Sequence, residues 1–383
     1  MTDSPLFEIG LFVMMFAAIG TVLWYSLRQK NRDGGETHYV RALEALAEGD
    51  EVQAVAQFKA AARENSSNYR IYLLLGDLLR RQGMREQALK LHSDLTLREG
   101  LAAEAQLKVL RSLRRDYEAL EDAQKGAGIA GKLVSLQNRP DGDALQQWVA
   151  LLEKISDWEK AAEVVAKYRM KFRFNVDRRL ALYAVFRGMQ LGEKGEREAA
   201  RAQFAAALKS DPGCSAAYYH LGKAWLAEGN PGEALAAWRR LCESRPEQAW
   251  LVLPELAKLP PNDGLEEARN DMIRQLAGQK QAGSKTILAL ATWLAEQAKD
   301  PDGALALLEQ QEKIAPAPEI YRAKFRLLMR KRKYRLAAEQ YQGLLDQEAA
   351  GPGAPFACNG CSQTFDQPLW QCPGCRQVDT FGL

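Results

Sequence analysis

The chain has 383 residues, 47% of them apolar and 26% charged, which exceeds one ordinary domain and calls for several domains or an elongated array. Its 52 basic and 49 acidic residues leave a net charge of +3, too balanced to mark a nucleic-acid binder. Six cysteines, four of them within the last 26 residues, argue for a local metal site over a disulfide framework.

From Ile9 to Leu27 no residue is charged. A helix of that length covers about 28 Å, against a hydrocarbon core of about 30 Å, so residues 6–27 are expected to form one transmembrane helix. Asp3 and Glu8 precede it, and Arg28, Lys30 and Arg32 follow. The positive-inside rule then puts the N-terminus outside and the body of the chain in the cytoplasm, with Trp24 and Tyr25 at the inner headgroup level. A cleaved signal peptide would carry its positive charge ahead of the apolar run, not behind it. The competing reading is a buried core helix, apolar all round.

A short polar hinge, Asn31 to Gly35, leads into an all-α repeat array expected over 36–348. Gly49, Ala54, Phe58 and Ala61 open it. Tyr72, Leu75, Gly76, Gly83, Ala88 and Leu95 answer them, with 34 residues from Ala54 to Ala88. The pattern is clearest between Ala184 and Pro246. There Gly188, Gly195, Ala200, Phe204, Ala207 and Pro212 recur 34 residues later as Gly222, Gly229, Ala234, Trp238, Leu241 and Pro246. That period and those residue types resemble the tetratricopeptide repeat, a helix-turn-helix unit that stacks into a superhelical solenoid. Gly222 and Ala234 belong where the two helices of a unit cross. Tyr218, Leu221, Trp225 and Trp238 fill the gap between units, and Pro246 ends the second helix.

About nine units fit. The third is degenerate: Arg114 to Tyr117 opens plausibly, but Gly126 and Ala130 stand where a small residue and an aromatic belong, and Gly126, Gly128 and Gly131 predict a loosened helix. Trp148, Leu152, Trp158, Ala161 and Val165 restore the pattern in the fourth. Pro254, Pro260 and Pro261 interrupt the seventh, although Ala268 keeps the phase. Leu288, Ala295, Ala304 and Leu308 mark the eighth unit, and Tyr321, Phe325, Ala337, Tyr341 and Leu344 the ninth. The ninth also carries a basic run, Arg322, Arg326, Arg330 and Lys333 at helical spacing with Lys324, Lys331, Arg332 and Arg335 beside them. A solvated helix face is the plain reading of such a run. A contact for an acidic partner or for anionic headgroups is the functional one.

Residues 349–355, AAGPGAP, read as a linker, and 356–383 as a separate small domain. In it Cys358-x2-Cys361 and Cys372-x2-Cys375, ten residues apart, can close a tetrahedral four-thiolate cage, with Phe356, Phe365, Trp370 and Phe381 as an apolar shell. Zinc is the first choice. Iron ranks behind it, because rubredoxin-type iron sites place glycine after each C-x-x-C pair, where this chain has Ser362 and Arg376. Four thiolates leave no open ligand position for catalysis.

The rest of the chain offers little to an enzyme. His38, His92 and His220 lie on different repeats, His92 at an aromatic's place in its second helix, and packing explains each. Cys214 and Cys242 read as small hydrophobes. No phosphate-cradling glycine loop and no nucleophile-base arrangement is present in the sequence.

A membrane helix, then about nine such repeats, then the C-x2-C-x10-C-x2-C module resembles the lipopolysaccharide assembly protein B family of Gram-negative bacteria. The likeness is most specific at Trp370-Gln371-Cys372-Pro373, Cys375 and Arg376, and is repeated at Leu75-Gly76 with His92, Arg115-Asp116-Tyr117 and Trp158-x-Lys160-Ala161. It implies a non-enzymatic adaptor in the inner membrane that presents the lipid A pathway deacetylase LpxC to the protease FtsH. It further implies a rubredoxin-like module packed on the repeats, with Cys358, Cys361, Cys372 and Cys375 as metal ligands. Val378 departs from the family, which often has an aromatic there.

Overall fold

A computed structural model describes residues 19, 21, 37–261, 263–279, 282–349, 356–365 and 369–379. Apart from residues 19 and 21, the expected membrane helix over 6–27 lies outside the described residues; so do Phe381 and all of the expected linker over 349–355 but Ala349, which is helical. Among the described residues no helix is long and apolar enough to cross a membrane. The chain divides into two compact units, Met1–Ile155 and Ser156–Leu383.

The first unit is a run of helices: α1 (37–47), α2 (Glu51–Glu64), α3 (Tyr69–Arg81), α4 (Arg85–Thr96), α5 (Ala103–Ala119), α6 (Ala123–Ser135) and α7 (Gly142–Lys154). The second continues with α8 (Trp158–Lys167), α9 (Val176–Glu193), α10 (Arg197–Ser210), α11 (Ser215–Ala227), α12 (Pro231–Ser244), α13 (Leu253–Leu256), α14 (Asp263–Ala277), α15 (Gly283–Glu296), α16 (Pro301–Ile314), α17 (Pro318–Arg330) and α18 (Tyr334–Ala349). Two short strands, β1 (Phe356–Ala357) and β2 (Thr364–Phe365), follow.

Consecutive helices pair as hairpins, and one device closes them. The residue after the first helix turns left-handed, as Gly49, Gly83, Gly195 and Gly229 do at φ +78° to +83°. The next amide then reaches back to a carbonyl five residues earlier, as Asp50 does to Ala45 and Glu196 to Leu191, both at 2.9 Å. Where sequence supplies no glycine the turn is kept: Glu121, Lys299 and Arg332 take φ between +53° and +62°. Some second helices begin on side-chain caps, with Asp50 accepting from the Gln53 amide (2.9 Å) and Asp122 from that of Lys125 (3.0 Å).

In three hairpins a glycine of the first helix receives a ring from the second, sixteen positions on. The ring of His92 lies against Gly76, Phe204 against Gly188 and Trp238 against Gly222, leaving no room for a Cβ. The close approach read from Gly222 is therefore made to the Trp238 indole, and Ala234 is fully buried beside it. Trp238 anchors a core that runs through α12 to α17 and includes Leu256, Met272, Leu290, Leu308 and Ile320. The prolines of the seventh repeat leave a 3₁₀ turn, Pro246–Leu251, and the one-turn α13 in place of a full first helix.

The third repeat is tighter than its glycines suggest. α6 is one continuous helix of 13 residues. Trp148 of α7 packs on Gly131, its ring 3.0 Å from where a Cβ would sit, so the bulk missing at Ala130 is supplied by the next helix.

Candidate metal centre

The two C-x-G-C segments build matching knuckles. Ser362 N–H donates to the Cys358 carbonyl and Arg376 N–H to that of Cys372, both at 2.8 Å. Cys358 N–H donates to Gln363 O and Cys372 N–H to Gln377 O, both at 2.9 Å. β1 and β2 pair antiparallel, Phe356 opposite Phe365, and Gln371 bridges to Val378 in the second knuckle. Ser362 (φ +59°) and Arg376 (φ +61°) adopt the left-handed turn that glycine would take most easily, so both knuckles keep the same backbone turn without glycine.

All four sulfurs converge within 4.8 Å of one another, and Cys358–Cys375 and Cys361–Cys372 approach to 3.7 Å. Sulfurs at the corners of a tetrahedron about 2.3 Å from a central cation would stand about 3.8 Å apart, so the donor set fits a four-thiolate ion. Gly360 N–H adds a bond to Cys358 Sγ at 3.3 Å. With thiols alone, burial, aided by Cys372, Cys358 and Cys361, pushes Cys375 up to about 12 against a contrary pull from the Gln377 amide. A cation that draws off those protons turns mutual destabilisation into coordination.

Trp370, expected in an apolar shell around the sulfurs, also reaches beyond the module. It leans on the repeats, with ring centroids 6.1 Å from Tyr219 and 6.0 Å from His220 of α11. Val378 is fully buried, and its carbonyl accepts from Arg179 Nη1 at 2.6 Å. Asp379 pairs with Arg178 at 3.1 Å. Lys285 Nζ lies over the Phe356 ring at 4.4 Å and over Trp250 at 5.3 Å. Helices α9, α11 and α15 thus supply the cradle. None of Arg178, Arg179, Tyr219 or Lys285 stands out in the sequence, because each meets a module over 70 residues away, and the arginine doublet opening α9 was the only available hint.

His220 stacks on Phe204 at 5.8 Å and meets Tyr219 edge-on. Burial, seconded by Lys223, depresses it to about 4, so it is a neutral packing ring at pH 7. His92 is fully buried, with Nδ1 2.5 Å from Asp116 Oδ2 and Nε2 3.1 Å from the Leu73 carbonyl. Asp116 also accepts from Arg80 (2.9 Å), which pairs with Asp77, which in turn accepts from Ser112. The ring packs as its place in the repeat requires, within an ionic network that no motif announces. His38 binds Gln57 in the first hairpin. Burial raises Cys214 to about 11 and Cys242 to about 12, making them inert thiols.

A tetratricopeptide-repeat family model matches residues 39–91 and 187–249. Lipopolysaccharide assembly protein B of Haemophilus influenzae is 26% identical over 333 residues, 83% of this chain and 80% of its own length. The protein of the same name in Escherichia coli is 21% identical over 379 residues, covering 97% and 96%. Among solved structures, yeast Tom70 is 13% identical, covering 88% of this chain and 90% of its own, with a TM-score of 0.31. A tetratricopeptide repeat protein of Parabacteroides merdae is 17% identical, covering 78% and 99%, with a TM-score of 0.34. The chain has a mostly helical tetratricopeptide-repeat solenoid fold with a C-terminal four-cysteine cluster and is similar, over most of its length, to lipopolysaccharide assembly protein B.

Proposed function

We propose that this chain is a non-enzymatic adaptor of lipopolysaccharide assembly, anchored in the inner membrane by residues 6–27 with its repeats in the cytoplasm. Its clients are the deacetylase LpxC and the protease FtsH, and holding both beside the membrane raises their effective concentration without new chemistry. Cys358, Cys361, Cys372 and Cys375 bind zinc as a structural ion. The observation that carries this reading is the clamp on α9 and α11: Trp370, Val378 and Asp379 all face the repeats, so the thiolate cage braces a protein surface. Every corner of the cage is a cysteine, which suits a brace better than a catalyst.

Crosslinking in intact membranes, with identification of captured proteins, tests the client assignment. Depletion should raise LpxC protein while its transcript stays constant, and an unchanged protein level refutes the presentation step. A redox reading with iron in the cage gains support from the left-handed turns at Ser362 and Arg376. Metal analysis of purified protein decides it: a red, iron-loaded and reversibly reducible sample would replace the zinc brace.

A further inference from the structure

The α17–α18 turn is unlike the other hairpin turns. Six cations, Arg326, Arg330, Lys331, Arg332, Lys333 and Arg335, crowd its two helix ends. The carboxylates that pair with them are Glu296 to Arg330 (3.6 Å), Asp302 to Lys331 and Glu339 to Arg335 (3.6 Å). Arg326, Arg332 and Lys333 are exposed and form no ion pair among the described residues. Lys324, by contrast, is buried against Glu312 and belongs to the fold.

The exposed face is not purely basic. Here Met329 is 42%, Tyr334 60% and Leu336 46% exposed, interleaved with the cations. Arg332 sits at φ +57°, the place glycine holds in four other hairpins, so a guanidinium stands where the backbone favours no side chain at all.

We infer that this turn is a membrane-surface contact, in which the unpaired cations meet the phosphates of anionic phospholipids and Tyr334, Met329 and Leu336 enter the headgroup layer. The turn exposes side chains of both kinds, Arg332 and Lys333 beside Tyr334 and Leu336. A plane of headgroups takes such a mixture, whereas a folded partner would need a complementary hollow. Tyrosine suits that layer because its ring is apolar and its hydroxyl wet. The contact does not depend on which proteins the repeats hold.

The test uses the full chain with vesicles of phosphatidylcholine alone, or with about one third phosphatidylglycerol. Trypsin cleaves at the basic turn, and cleavage at the exposed segment Arg169–Lys171 serves as the internal reference. Anionic vesicles should slow cleavage at the turn about tenfold relative to the reference, as expected when several cations are held near a charged surface. Salt at about 0.5 M should remove the protection. Arg332→Gly with Lys333→Gln should lose the protection while melting no lower than the parent, because glycine suits φ +57°. Equal cleavage on both vesicles overturns the inference. So does protection by soluble polyglutamate that matches the vesicles at equal charge, which would assign the turn to an acidic protein.

Discussion

Substitution of Gly222 by alanine isolates the close approach shared by the Gly76, Gly188 and Gly222 hairpins. A Cβ at this position would stand 2.5 Å from Cε2 and 2.6 Å from Cδ1 of Trp238. The indole is fully buried and donates from Nε1 to the Tyr219 carbonyl at 3.2 Å, so it cannot swing aside without breaking that bond. Overpacking costs ~1–3 kcal/mol and the disturbed hydrogen bond ~1 kcal/mol, against a helix-propensity gain of ~1 kcal/mol for replacing glycine. The net expectation is a loss of about 2 kcal/mol, or about 4–8 °C in the melting of a unit of this size. Far-UV circular dichroism on heating measures it, with Gly232→Ala as the control. Gly232 lies in α12, is exposed, and has nothing within 4 Å of a built Cβ, so its replacement should raise the melting temperature slightly. If both substitutions stabilise, the ring is not locked against Gly222 and the crossing argument fails.

Three further outcomes follow from particular contacts. Asp116→Ala removes the partner of both buried His92 and Arg80, and should destabilise the first unit by about 3–5 kcal/mol in urea unfolding. His220 is held at about 4 when folded, below its ordinary 6.5, so the unfolded chain takes up its proton first as pH falls. Its contribution is complete above pH 6.5 and is lost progressively towards pH 4, a fall of about 3 kcal/mol that His220→Phe should abolish when urea melts at the two pH values are compared. Arg178→Ala with Arg179→Ala should release the module while its metal stays bound. Amide exchange at residues 369–379 would then quicken with no loss of the metal loaded into the cage, and loss of that metal would mean that docking is needed to form the cage.

The sequence announced this fold wherever glycine was required and concealed it wherever another residue tolerated the same backbone. Gly49, Gly83, Gly195 and Gly229 mark four turns at sight, but Glu121 and Lys299 hold the same left-handed conformation at a cost of order 1 kcal/mol each and leave no signature. For the same reason the third unit reads as loosened: the missing bulk at Ala130 comes from Trp148, and a repeat read in isolation cannot show what its neighbour inserts. Four cysteines at fixed spacing predict convergence because each C-x-x-C turn is a local structure. Where the module rests is a long-range fact, set by Arg179 meeting a carbonyl at Val378, 199 residues on.

That long-range placement bears on why the chain ends in a metal module. Strands of two residues each, with Phe356 38% exposed, give residues 356–379 too small a core to hold shape by burial alone. An ion in the cage fixes the two knuckles against each other, and the second knuckle carries Trp370, Val378 and Asp379 to the repeats as one rigid set. If the ion leaves, these three contacts lose their common frame, and the faces of α9 and α11 they cover become open to other occupants. If the cage holds the proposed ion, stripping it with a chelator should therefore quicken amide exchange in α9 and α11 as well as in the module. An effect confined to residues 356–379 would show that the repeats keep their shape without the brace, and that the ion serves the module alone.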